Sequence, residues 1–254
     1  MKLIRTILFV FIVSIISSVW SVSVGKMKIE SRDDAIKYYK ESFKAIKFRK
    51  NGKEVSFDFS DSKKLTDDDL IYLKFFPETT VALFGGRGVS DRALEYLKDK
   101  KELVTLGLYE TSVTGEGIKY LKDLSKISGI VITDTPFTDK GLQYLSEMNF
   151  SEPLEINLHN TKVTDEGLKY LSKIKLTGAL YLANTKITDE GLKYLVNQKG
   201  LAEIDVRGTK VTKEGVQWLE KQLPNTGIEY GKYVPQKDWV KLPGGLLGKR
   251  PFLD

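Results

Sequence analysis

The feature that most constrains this chain is a nine-residue phrase that returns seven times. The copies begin at Leu65, Val89, Val113, Phe137, Val163, Ile187 and Val211, with starts 24, 24, 24, 26, 24 and 24 residues apart. The copy at Val163 reads VTDEGLKYL, and that at Ile187 differs from it only in its first residue. A unit this short cannot bury its own apolar side. Stacking the copies buries a continuous core, so the period predicts an elongated repeat architecture.

Each copy follows a short alternating stretch. From the third copy on these are Leu103-x-x-Leu106-x-Leu108-x-x-Thr111, Ile127-x-x-Ile130-x-Ile132-x-x-Thr135, Ile156-x-Leu158-x-x-Thr161, Leu180-x-Leu182-x-x-Thr185 and Leu201-x-x-Ile204-x-Val206-x-x-Thr209. Alternation predicts a strand with one buried face. The phrase itself predicts a helical return. Thr66, Ser90, Thr114, Thr138, Thr164, Thr188 and Thr212 stand at its N-cap, followed mostly by acids that suit the positive end of a helix. Gly117, Gly141, Gly167, Gly191 and Gly215 lie four residues before the last Leu, on the same helical side. Their cost in helix stability implies a packing reason, and close approach of helix to sheet is the expected one. An aromatic also recurs, at Tyr72, Tyr96, Tyr120, Tyr144, Tyr170, Tyr194 and Trp218. A position fixed by the period reads as a spine packing return against return; a ligand-binding rail is the other reading.

The period, the L-x-x-L-x-L core and the following helix resemble the leucine-rich repeat. The V-T-D-x-G-L phrase is similar to the bacterial type of the ribonuclease-inhibitor-like superfamily, related to F-box-associated repeats. Thr stands where that family usually has Asn or Cys, and its hydroxyl can bond the turn backbone. The resemblance covers residues 55–230. It implies an α/β solenoid, a horseshoe segment with a parallel sheet on the concave side and helices on the convex side, that works by protein–protein interaction. Residues 55–230 then hold seven repeats and a closing strand at Ile228-x-Tyr230. The first two repeats are degenerate, with Lys63 and Arg87 in place of the turn Thr, as terminal repeats tend to be.

Residues 1–25 read as a signal peptide or a membrane anchor. Lys2 and Arg5 precede an uncharged run from Thr6 to Gly25 whose second half is rich in serine. Both readings put the body outside the cytoplasm: secreted, periplasmic or anchored. Residues 26–54 read as a basic amphipathic capping helix and linker, starting at Ser31 with Ala35, Ile36, Tyr39, Phe43 and Ile46 at helical spacing. Residues 231–254, without period, read as a tail or cap.

Residues 1–50 carry 11 Lys/Arg against 4 Asp/Glu, residues 51–220 carry 23 against 27, and residues 221–254 carry 6 against 3. The basic charge sits at the ends, so the repeats lack the one-sided basic footprint of a nucleic-acid binder. The chain has no cysteine, which removes disulfides, thiolate metal sites and cysteine nucleophiles.

The buried Leu positions set which strand residues face the other way. Among them Tyr109, Glu155, Asn157, His159, Tyr181, Glu203, Asp205 and Arg207 are the candidate partner-binding residues of the concave face. His159 is the only histidine. With Glu155 and Asn157 it suggests a general base or metal ligand, but one His without a nucleophile motif makes a poor catalytic or metal site. The expectation is a binding protein with no enzymatic activity, cofactor or metal. A membrane-anchored envelope scaffold is the alternative, and a hydrolase centred on His159 a remote one.

Overall fold

The computed structural model describes residues 29–49 and 53–233. The reading of residues 1–25 therefore lies outside the described residues. So does the tail beyond Tyr233. Among the described residues no helix is long and apolar enough to cross a membrane.

The chain enters through α1 (Arg32–Ser42). Ser31 and Asp34 form a reciprocal capping box, each side chain bonding the other's backbone N–H. The helix stops at Ser42, short of the apolar spacing that runs on to Ile46. Lys44 adopts φ +54° and turns the chain. Ile46 then opens β1 (Ile46–Arg49), which pairs antiparallel with β2 (Glu54–Phe59). The alternation of Ile46 and Phe48 with Lys47 and Arg49, ahead of Asn51-Gly52, was the signal for this hairpin; helical spacing masked it. Aromatic rings bind α1 to the sheet. The Tyr39 ring stands edge-on to Phe57 and Phe59, at 5.2 and 5.4 Å between centroids, and its hydroxyl donates to the Asp69 carbonyl at 2.8 Å.

Beyond β2 the strands follow one another in chain order and in parallel: β3 (Thr79–Gly85), β4 (Thr105–Tyr109), β5 (Gly129–Thr133), β6 (Leu154–Asn157), β7 (Leu176–Tyr181), β8 (Leu201–Asp205) and β9 (Gly227–Glu229). The nine-stranded sheet is open, with β1 and β9 at its edges. Leu106, Ile130, Ile156, Leu180, Ile204 and Ile228 are register partners from strand to strand. The returns lie against this row, and Leu121, Leu145, Leu171, Leu195 and Leu219 close the core from the other side. This is an α/β repeat solenoid.

The returns are tighter than expected. The first three, Asp67–Phe75, Asp91–Leu97 and Glu116–Leu121, are 3₁₀-helical. Then come α2 (Asp139–Ser146), α3 (Asp165–Leu171), α4 (Asp189–Leu192), which tightens to 3₁₀ over Lys193–Leu195, and α5 (Lys213–Gln222). The two extra residues of the long repeat fall before β6, where Gly129 pairs with Glu155.

The repeated Asp ties neighbouring returns together. The carboxylates of Asp67, Asp91, Asp139, Asp165 and Asp189 accept from both the backbone N–H and the hydroxyl of Ser90, Thr114, Thr164, Thr188 and Thr212 in the following repeat, at 2.5–3.0 Å. These are charge-assisted bonds across the repeat junction. They also explain the glycine. A Cβ on Gly167, Gly191 or Gly215 would lie 2.4, 2.3 or 2.1 Å from the Oδ1 of Asp139, Asp165 or Asp189. The glycine makes room for the neighbouring carboxylate, not for the sheet. One junction differs. Gly115 replaces the Asp, and Thr138 bonds the Thr114 carbonyl instead, through its N–H at 3.0 Å and its hydroxyl at 3.2 Å. There Phe137 takes the place of the smaller Val or Ile, and its ring fills the space beside Gly141.

The N-cap reading holds in geometry for Ser90, Thr164, Thr188 and Thr212, whose side chains accept from N–H groups of the first turn. Thr66 forms a capping box with Asp69. Thr114 and Thr138 make no such cap, for the reasons just given.

Candidate binding face

The sheet has two faces of different character. One meets the returns. The other, the open face, carries three rows of side chains set by the register. The first row is Ser56, Val81, Thr105, Gly129, Glu155, Ala179 and Glu203. In the second, Asp58, Leu83, Gly107, Val131, Asn157, Tyr181, Asp205 and Glu229 are partners in turn. In the third, Tyr109 pairs with Thr133, followed in their own repeats by His159, Ala183 and Arg207. All eight sequence-derived candidates lie on this face.

Its two halves differ. Toward β3–β5, Leu83, Tyr109 and Val131 form an apolar cluster separate from the core, with Val81 against it. The Tyr109 ring lies over Gly107, where a Cβ would stand 2.6 Å from the ring edge. Burial pushes the Tyr109 phenol up. Toward β6–β9 the face is acidic: Glu155, Glu203, Asp205 and Glu229, with Asp134 at the strand end. Burial raises the Glu155 carboxyl, and burial with the Glu203 charge raises the Tyr181 phenol.

Arg207 is the one cation of this half among the described residues, and it is committed. It pairs with Asp205 through Nε at 2.9 Å and Nη2 at 2.7 Å, and with Glu229 at 2.9 Å. Asp205 is 1% exposed, so its charge is balanced in place by Arg207, whose own pKa the Asp205 hydrogen bonds raise. Asn157 accepts from the His159 backbone N–H at 2.9 Å. The His159 imidazole packs on Tyr233, 4.6 Å between centroids, and burial lowers its pKa. Arg207 lies 5.7 Å from the same ring. Thus Asn157, Asp205 and Arg207 are held by contacts within the face, while Glu155 and Glu203 add to its negative sign.

Tyr233, Val81, Leu83, Asp58 and Glu229 are absent from the sequence-derived set. Val81 and Leu83 were visible in a strand reading of the second repeat, but its degenerate turn hid their register. Tyr233 carries no periodic signal. Among the described residues no three His, Asp or Glu side chains are grouped so as to hold a metal.

The strand ends share another feature. Glu110, Asp134, Asn160 and Asn184 take φ between +51° and +57°, in line with Gly86 and Gly208. This one left-handed residue per repeat turns the chain off the sheet. Asn and Asp tolerate it; Glu110 is the least suited.

Strand order, core and repeat chemistry together define an α/β repeat solenoid. The family pattern described as "Leucine Rich repeat" matches residues 179–196. No curated protein matches the chain in sequence. Among solved structures, an internalin from Listeria monocytogenes is similar at 14% identity and TM-score 0.45, covering 73% of this chain and 50% of that one. The chain thus spans about half the length of that internalin. An internalin C2 from the same organism is similar at 17% identity and TM-score 0.40, covering 68% of this chain and 80% of that one.

Proposed function

We propose that the chain is an extracytoplasmic protein-binding module whose open, concave face receives its partner, with the acidic half setting the charge of what it takes. The observation that supports this most is the division of labour between the faces. The return side is spent on the repeating Leu, Gly and Asp scaffold. The residues that vary from repeat to repeat, Tyr109, Glu155, His159, Tyr181 and Glu203, collect on the other side. Aromatic and charged side chains of this kind dominate interface energetics. Export rests on the basic, apolar and serine-rich start of the chain.

The reading is tested by cross-linking the exported protein to its partner in intact cells. Glu155→Lys with Glu203→Lys, both half-buried on the face, should abolish the cross-linked species. Glu116→Lys with Glu190→Lys, on the returns, should leave it unchanged. Equal effects from both pairs would refute the assignment of the face. A body recovered only from the cytoplasm would refute the export.

A further inference from the structure

Among the described residues no helix lies over the open face, yet much of it is shielded from solvent. Val131 is 0% exposed, Asp205 1%, Tyr109 6% and Tyr181 8%. Among the described residues only Tyr233 crosses it. Its path is specific. The chain leaves β9, turns at Gly231 with φ +99°, and comes back against the turn that follows β8, where a Cβ on Gly208 would meet the Tyr233 Cβ at 3.1 Å. The Tyr233 ring then reaches His159, which follows β6. At its last described residue the chain is therefore running back along the open face, from β9 toward the apolar half.

We propose that residues 234–254 dock in cis on this open face, as a basic and apolar strap that occupies the partner site. Three observations meet here besides the direction of travel. The first is charge. Residues 234–254 carry Lys237, Lys241, Lys249 and Arg250 against two acids, and the half of the face they would cross first is acidic. The second is apolar content. Trp239 and Leu242 suit the cluster of Leu83, Tyr109 and Val131. The third is reach. From β9 to β4 is five strand spacings, about 24 Å. Extended, 21 residues span up to about 70 Å. The strap would hold its lysines near Glu203 and Glu229 and its apolar residues near Tyr109, an arrangement a partner must displace.

This rests on the open face being the binding face, and its test separates the two. The chain contains no cysteine, so Lys241→Cys gives one labelling site in the full chain. A nitroxide there should broaden the amide signals of Thr105, Gly107, Gly129 and Thr133 to below half intensity. The signals of the return residues Lys122, Lys173 and Lys199 should persist. Adding Lys237→Glu should restore the broadened signals. Broadening of the return side, or none on the sheet, overturns strap docking. Broadening found only between labelled and unlabelled chains in a mixed sample overturns docking in cis and assigns the face to a second copy. Cross-linking in cells, which does not read the strap, would still report on the face if docking failed.

Discussion

The Asp–Gly pairing across repeat junctions can be measured as a coupling energy. At the junction between α3 and α4, Asp165 accepts from the Thr188 N–H and hydroxyl at 2.8 Å each, and a Cβ on Gly191 would lie 2.3 Å from its Oδ1. Hydrogen bonds to a charged partner contribute on the order of 1.5–3 kcal/mol, and Asp165 is only half-buried, so Asp165→Ala should cost about 2 kcal/mol. Gly191→Ala alone should displace the carboxylate and lose most of the same energy, offset by about 0.8 kcal/mol of helix propensity. In the Asp165→Ala background that clash is gone. The nearest remaining neighbour is the Leu168 Cδ1, at 3.0 Å. Gly191→Ala should then be neutral or stabilising, giving a coupling of about 2 kcal/mol. Urea unfolding reads it as a shift in midpoint at constant m. Single substitutions that add within about 0.5 kcal/mol would refute the idea that this glycine exists to admit the neighbouring carboxylate.

Three further outcomes follow from particular residues. Thr111 is buried, and its hydroxyl has no hydrogen-bond partner among the described residues, whereas Thr185 donates to the Leu182 carbonyl at 2.6 Å. Thr111→Val should therefore stabilise by about 1 kcal/mol and Thr185→Val destabilise by about as much in the same denaturation assay; like signs would contradict this. Lys100 is 3% exposed, donates to the Leu73 carbonyl at 2.6 Å, and is pushed by burial down to about 8. Between pH 8 and 10 the unfolded chain then binds the extra proton, so stability should rise with pH, by on the order of 2 kcal/mol, until tyrosine ionisation in the unfolded chain reverses it. Lys100→Met should flatten that rise; a wild-type melting temperature already falling between pH 8 and 9.5 would count against it. Glu110 holds φ +52° where the later repeats use Asn160 and Asn184. Glu110→Asn should raise the melting temperature by about 2 °C, and a decrease would show that the turn strain is not what limits that site.

The scaffold was legible because its causes are periodic. Leu108, Ile132 and Leu182 recur at the strand alternation, and the same alternation placed Tyr181, Glu203 and Arg207 on the opposite face. What escaped was set by contacts between distant or non-repeating residues. Ile46 fits a helical period as well as a strand period, and only pairing with Phe57 decides for the strand. The phrase V-T-D-x-G-L shows that Asp and Gly recur together. It does not show that they meet across a junction, because they come from different copies. Asp205 and Arg207 stand on the expected face, but no periodic signal announces that an ion pair ties them to each other. Tyr233 lay beyond the last period, where no neighbour in sequence announces that it returns to His159.

The junction between Gly115 and Phe137 has a consequence for how such a chain can be lengthened or shortened. Repeats whose Asp and Thr match at both borders are interchangeable parts; copying or deleting the unit that begins at Val163 leaves a complete carboxylate junction on either side. Gly115 and Phe137 are instead a matched lock. Gly115, at φ +108°, would bring a Cβ within 2.7 Å of Gly141, and the Phe137 ring fills the room that a carboxylate junction would need. Moving either repeat alone would set a missing carboxylate or a surplus ring against an ordinary neighbour. Exchange of single repeats is thereby confined to the stretches on either side of this junction, where Asp67 and Asp91 meet Ser90 and Thr114 as Asp139, Asp165 and Asp189 meet their partners, and the repeats that begin at Val113 and Phe137 travel together.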